Sequence, residues 1–96
     1  MSALVVIAKI TAHEGKAEAA KAALLGLVAP TQKEAGFIQY DFHQDLNNPH
    51  VFYAYEQWES MAHLQAHGQS AHIKAMQANT KNIIVSSELT FLKKIH

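Results

Sequence analysis

Residues 4–11 (LVVIAKIT) are rich in β-branched side chains and apolar at both parities, which predicts a strand covered on both faces. From residue 14 to 36 the chain becomes Ala-rich. Ala20, Ala23, Leu24, Leu27 and Val28 keep the i, i+3, i+4, i+7 spacing of one buried helix face. Pro30 predicts a kink or a restart in that helix, and Gly36 its C-terminal stop. Residues 37–44 alternate with period two, with Ile38, Tyr40 and Phe42 on one side and Gln39, Asp41 and His43 on the other. The turn-forming run Asp45-Leu46-Asn47-Asn48-Pro49 predicts a hairpin, so residues 51–58 return as the antiparallel partner. Ser60 can cap a helix from Met61 to about His67 that Gly68 ends, and Ser70 can cap another reaching about Lys81. Residues 87–95 alternate again and make a fourth strand.

The order is strand, helix, strand, strand, helix pair, strand. That predicts an α+β fold, the ferredoxin-like split β-α-β arrangement, with a four-stranded antiparallel sheet and its helices on one face. Val5, Ile7, Tyr53 and Tyr55 share odd parity and fall on the other face. A second sheet would cover them, so the expected assembly is a homodimer, a dimeric α+β barrel.

Composition narrows the function. Ninety-six residues, 49% hydrophobic and 17% charged, suit one globular domain spanning residues 1–96. Net charge is zero, and the positive charge is eight scattered Lys with no Arg. No basic patch is offered to nucleic acid or to an anionic membrane, and no guanidinium fork to a carboxylate or phosphate. The absence of Cys excludes disulfides, thiol nucleophiles and zinc–thiolate sites. The opening apolar run has no basic region before it, carries Lys9, and falls short of the ~20 residues a membrane span needs. The expected location is the cytoplasm.

Candidate chemistry gathers in residues 51–72, which hold the only Trp, two of three Tyr and three of seven His. Even parity sets Phe52, Glu56 and Trp58 on one face of their strand, and Tyr40 on the matching face of its neighbour. If that face meets the helices, an aromatic cleft with a few polar groups results, the usual make-up of a small-molecule site. His63 and His67 stand i, i+4 on the short helix, and His72 opens the next. Two readings stand for most of these. Glu56 either holds the following helical segment or takes part in catalysis, and Trp58 and Tyr40 are either core residues or a platform for a substrate. His63 and His67 have the spacing of a helical metal pair, with Glu56, His72 or His43 to complete it. No HExxH motif supports that, and no metal is expected. His67 and His72 are the better candidates for a base, since a partly buried imidazole is the most adaptable proton acceptor at neutral pH. No glycine-rich phosphate loop, GxSxG elbow or dinucleotide fingerprint occurs, so no cofactor is expected through a standard motif.

Three segments carry a resemblance over nearly the whole chain: VVIAKITAHEG, VAPTQKEAGFIQYDF and YEQWESMAHLQAHGQSAH. The more specific parts are E-x-G-x-x-x-Y at Glu34, Gly36 and Tyr40, and E-x-W-x-S with a downstream His at Glu56, Trp58, Ser60 and His67. On these the chain resembles the antibiotic biosynthesis monooxygenase family, especially its small quinol-monooxygenase-like members. The resemblance implies a homodimeric barrel with a pocket in each subunit between sheet and helices. It also implies oxygenation of a quinol or related aromatic by dioxygen without metal or flavin, a pocket base having first deprotonated the phenol. Carried onto this chain, the pocket role falls to Tyr40, Phe52, Glu56, Trp58, His67 and His72; the expected catalytic set is His67, His72 and Glu56, and the expected substrate-binding set is Tyr40, Phe52 and Trp58 together with His63. Two departures bear on the reaction. Ala8 stands near where haem-degrading relatives have an Asn, and no Arg is present where polycyclic-phenol oxygenases bring one. Two alternatives stay open: a proton-transfer isomerase of a small phosphorylated dione, and a non-catalytic small-molecule-binding barrel.

Overall fold

A computed structural model describes residues 3–96. In chain order it has β1 (Leu4–Ala12), α1 (Ala17–Leu25), α2 (Val28–Thr31), β2 (Phe37–Gln44), β3 (Val51–Trp58), α3 (Met61–Gly68), α4 (Ala71–Asn79) and β4 (Ile84–Lys93). The strands form one antiparallel sheet in the order β2-β3-β1-β4. The most apolar strand, β1, therefore lies inside the sheet, and the more polar β2 and β4 take the edges, where one row of backbone groups faces outward. This is the ferredoxin-like α+β fold the element order predicts.

Parity is obeyed in the centre of the sheet. Val6, Ala8 and Ile10 of β1 and Phe52, Ala54, Glu56 and Trp58 of β3 are buried on the helix side. Ala20 and Leu24 of α1, Leu27 after it and Ile73 of α4 pack onto that face. Ile7, Tyr53 and Tyr55 point the other way and are half-buried. Val5, on the same face, is buried.

Three expectations need correction. The first helix does not run to Pro30. It ends at Leu25, and the chain tightens at Gly26 and Leu27, where the Leu27 N–H donates to the Leu24 carbonyl at 3.0 Å. The second helix restarts at Val28 and places Pro30 in its first turn, where an N–H would have no intrahelical partner to lose. Gly36 stops no helix. It sits at φ +78° in the turn that feeds β2, five residues beyond Thr31.

The second correction concerns Ile38. The pairing of β2 with β3 shifts between Phe37 and Gln39, since Phe37 opposes Trp58 and Gln39 opposes Gln57. Ile38 is the extra residue of a β-bulge. It turns outward, 43% exposed, while Phe37 packs edge-on to Trp58 with ring centroids 6.2 Å apart. Strict alternation placed Ile38 inside and Phe37 outside. The third is the last strand, which begins at Ile84 rather than Ser87 and ends at Lys93 rather than Ile95. A register shift opposite Thr11 and Ala12 makes Val85 a second bulge residue and obscures the alternation at that end.

Candidate functional site

The site is built around the corner between α3 and α4. Ser60 takes an extended conformation and its hydroxyl accepts from the His63 N–H at 3.2 Å, capping α3. That start sets the helix rotation so that Leu64 and His67, three apart, both face inward. Ser70 caps α4 and also donates its hydroxyl to the His67 carbonyl at 2.7 Å, which ties the two helices at their junction. His72 then lies in the first turn of α4.

Opposite this corner stands Glu34, on the turn between α2 and β2. Its N–H bonds to the Thr31 carbonyl at 3.0 Å, and its carbonyl accepts from Phe37 at 3.3 Å. Glu34 Oε2 is 2.6 Å from His67 Nδ1 and 2.8 Å from His72 Nε2. A carboxylate oxygen only accepts, so each of those ring nitrogens carries a hydrogen. In a neutral His67 the lone-pair nitrogen is therefore Nε2. Exposure rises outward through the cluster: the side chain is 6% exposed at His67, 15% at Glu34 and 22% at His72.

The His67 ring is held by aromatic faces, tilted 36° to Trp58 at 4.7 Å and edge-on to Tyr40 at 5.4 Å. Trp58, fully buried, donates its indole N–H to Glu56 Oε1 at 3.0 Å. Glu56 and Trp58 are two apart on β3, which is why one strand face supplies both. Burial above all pushes the Glu56 carboxyl over the ordinary carboxylate range, against the pull of the Trp58 hydrogen bond and of His67. Burial, and then the charge of Glu56, raises the Tyr40 phenol well beyond its usual value, so Tyr40 stays a neutral donor.

Tyr40, Glu56 and His67 line one cavity of about 640 Å³ between the sheet and α3 and α4. Its floor includes Ala8 and Ala54, small enough to leave the space open, and its roof includes Leu64, Ile73 and Met76. Leu89 and Phe91 of β4 form the rim and are about half exposed. Gln65, Gln69, Gln77 and Ser87 are neutral polar groups of its lining, and among the described residues no Lys lines it.

The residues expected at the site divide three ways. Tyr40, Glu56 and His67 reach the cavity wall. Trp58 and His72 stand behind it, Trp58 supporting Glu56 and the His67 ring, His72 bonded to Glu34. Phe52 and His63 lie elsewhere. Phe52 belongs to the core and borders a small pocket with Leu24 and Phe42. His63 Nδ1 bonds to the Ser60 hydroxyl at 2.8 Å, and its ring packs over Gly36, where a Cβ would collide with it. His63 and His67 thus do not converge as a metal pair. Among the described residues, those that could together hold a metal ion are Glu34, His67 and His72, whose ligand atoms all lie within 4.8 Å of one another. Sequence reasoning gave Glu34 no role. The only available signal was its place in E-x-G-x-x-x-Y, which marks the turn and says nothing of its partners.

A four-stranded antiparallel sheet, helices on one face and an acid–imidazole cluster against an apolar cavity define a small-molecule protein of the ferredoxin-like class. The chain belongs to the antibiotic biosynthesis monooxygenase family, whose model matches residues 3–79. A Pseudomonas aeruginosa protein of known crystal structure is 36% identical, with a TM-score of 0.94 covering 100% of this chain and 97% of that one. A conserved Methanosarcina mazei protein is 27% identical, with a TM-score of 0.87 over 98% of this chain and 94% of its own. A Nitrosomonas europaea protein provisionally described as an antibiotic biosynthesis monooxygenase shares the fold at 20% identity, with a TM-score of 0.92 over 99% and 92%. No curated protein matches the sequence significantly. Among the described residues no helix is long and apolar enough to cross a membrane.

Proposed function

We propose that this chain is a monooxygenase that oxidises a quinol or a related small aromatic with dioxygen, without a cofactor, in the cytoplasm and as a homodimer. The observation that carries the reading is the hydrogen bond from His67 Nδ1 to Glu34 at 2.6 Å, in a ring that lines the cavity. It fixes the tautomer in which Nε2 is the free acceptor, the arrangement a general base needs. Glu34 and the flanking rings of Trp58 and Tyr40 are positioning groups, since they hold the imidazole and leave the reacting atoms to it.

The chemistry follows from that placement. His67 Nε2 takes the proton of a phenolic hydroxyl, and the resulting anion is electron-rich enough to reduce dioxygen. One oxygen atom enters the ring and the other leaves as water. For a simple quinol the products are a hydroxyquinone and one water, and all four electrons come from the substrate. Glu56, pushed toward its neutral form by burial, can donate to the second substrate oxygen, and neutral Tyr40 can orient the ring. The walls around the anion are mostly apolar.

Charge favours this substrate class over a phosphorylated dione. The cavity has no Lys on its wall, and Glu56 lines it with Glu34 close behind, so a phosphate would meet two carboxyl groups with only the His67 imidazole to oppose them. A neutral aromatic suits the same surroundings. Pairing of two chains is supported by the outward sheet face, where Val5, Ile7, Tyr53 and Tyr55 lie together.

The test is oxygen uptake with a panel of quinols, in metal- and flavin-free buffer, beside anaerobic controls. Enzyme-dependent uptake that His67→Ala removes supports the reading. Uptake indifferent to His67→Ala and His72→Ala, or turnover that proceeds equally without oxygen, counts against it. Ligand retention without turnover of any kind would point to a binding protein.

A further inference from the structure

We propose that Glu34, His67 and His72 form a binding site for a divalent transition-metal ion of the zinc class, and that its occupation silences the base. The binding claim stands on geometry alone. Only the second clause rests on the proposed oxygenase reading.

The three donor atoms are Glu34 Oε2, His67 Nδ1 and His72 Nε2, with the oxygen 2.6 and 2.8 Å from the two nitrogens. They come from three separate elements, the turn before β2, the last turn of α3 and the first turn of α4, so they surround a point rather than follow one helix face. The two imidazole rings are 6.1 Å apart between centroids and inclined by 56°, so their nitrogens converge on the carboxylate and do not stack. Two imidazoles and one carboxylate are a donor set that zinc accepts with a fourth position left open to water. Nitrogen donors in that number disfavour calcium and magnesium, which take oxygen shells.

The fit needs all three side chains to adjust together. A tetrahedral ion with bonds of ~2.0–2.1 Å sets its ligand atoms ~3.3 Å apart. The Glu34 carboxylate would withdraw by well under an ångström, the two imidazole nitrogens, within 4.8 Å of each other, would settle to that spacing, and the ion would replace the two hydrogen bonds it displaces. Both imidazoles need only shift their hydrogen to the other ring nitrogen. The outward rise in exposure, with the His72 side chain at 22%, offers the ion a way in from solvent. Trp58 holds the His67 plane from behind, the supporting contact that fixes a metal ligand's orientation.

Metal at His67 Nδ1 moves the ring hydrogen to Nε2. The nitrogen facing the chemistry then donates where it formerly accepted, and it can no longer take a proton from a phenol. Proton acceptor and metal ligand are thus alternative states of the same ring.

The experiment is a Co2+ titration of the chelator-stripped full chain at neutral pH, followed by visible absorption, with Zn2+ added in competition. One equivalent of Co2+ should develop the intense bands of a four-coordinate ion, and Zn2+ should bleach them. Glu34→Gln and His72→Ala should each weaken binding by more than the ~10–100-fold that outer-shell partners are worth. His43→Ala, on the outer sheet face, should bind as the parent does, and far-UV circular dichroism confirms that each variant is folded. Absence of the bands, or binding that survives both cluster variants or is lost equally in His43→Ala, overturns the site. If Co2+ binds, stoichiometric Zn2+ should abolish oxygen uptake and a chelator restore it. Uptake unaffected by a bound ion overturns the silencing. Failure of every quinol to consume oxygen would count against the oxygenase reading, while the absorption titration would still decide the site.

Discussion

One oxygen of Glu34 accepts hydrogen bonds from both His67 Nδ1, at 2.6 Å, and His72 Nε2, at 2.8 Å. A single carboxylate therefore dictates the tautomer of two imidazoles on different helices. Glu34→Gln keeps one oxygen that could accept from both rings but removes the negative charge that strengthens both bonds, so its hold on the two tautomers weakens. Turnover should fall ~10–100-fold, the usual cost of losing an outer-shell partner, whereas His67→Ala should cost the ~10²–10⁴-fold of a general base. Nitrogen-15 NMR of the imidazoles reads the cause directly. His67 should be the Nδ1–H tautomer in the parent and shift toward Nε2–H in the variant. A parent His67 already in the Nε2–H form would remove the basis for a Nε2 base.

Glu56 gives a pH signature. Its carboxyl is raised above the ordinary range by burial, so the folded state holds that proton more tightly than the unfolded chain does. Its contribution is fully present below the ordinary carboxylate pKa and is lost as pH rises through the raised value. Glu56→Gln retains an acceptor for the Trp58 indole and cannot ionise. Relative to the parent, the variant should gain stability from mildly acidic to neutral pH. Urea midpoints at a series of pH values measure the difference, and a constant offset between the two proteins would refute the assignment.

Gly36 meets two constraints, a φ of +78° and the His63 ring where a Cβ would go. Gly36→Ala should lower stability by about 1–3 kcal/mol, the cost of a strained backbone and a steric conflict together. Gly15, at φ +80° with open space around it, is the control, and Gly15→Ala should cost only about 1–2 kcal/mol, the backbone part. Adding His63→Ala to Gly36→Ala should recover the steric part alone. Thermal melts of the four proteins separate the two contributions.

On the outward sheet face, Tyr55 lies opposite Ile7 and Asp41. If this face joins two chains, Tyr55→Asp should place a second carboxylate directly opposite Asp41 at the contact and shift the protein from dimer to monomer. Light scattering after gel filtration gives the mass directly. A monomeric parent, or a variant dimer of unchanged affinity, would exclude this face as the interface.

How far the sequence could be read depended on the reach of each signal. Period-two alternation is a rigid property of a strand, so parity assigned Glu56 and Trp58 to the helix side and Tyr53 and Tyr55 to the other. It failed at Ile38 and near Val85, where one extra residue shifts the phase and leaves no mark in composition. The break after Leu25 was hidden because Gly26 and Leu27 lie inside an otherwise continuous helical pattern, and Pro30 drew attention to the wrong place. Glu34 was least visible of all. It lies in an aperiodic turn, 33 and 38 residues from its two partners. Only the closed fold brings them within a bond length, and the rotation of α3 and α4 that aims His67 inward and His63 toward Gly36 depends on caps and packing rather than on spacing.

The bulge at Ile38 has a consequence for how the chain can change in length. The inward residues of β2 are Phe37, Tyr40 and Phe42, a step of three followed by a step of two. A regular strand could present Phe37 or Tyr40 to the helices, but not both. The extra residue acts as a half-period delay that lets one aromatic anchor Trp58 while another lines the cavity. Deleting Ile38 would leave Phe37, Tyr40 and Phe42 in strict alternation, with their pairing to β3 unchanged and the bulge gone, and conservative replacement of its outward side chain should likewise pass unnoticed. At this point of the sheet, the pairing with β3 fixes which side chains face the helices, and one residue of length can be lost without changing it.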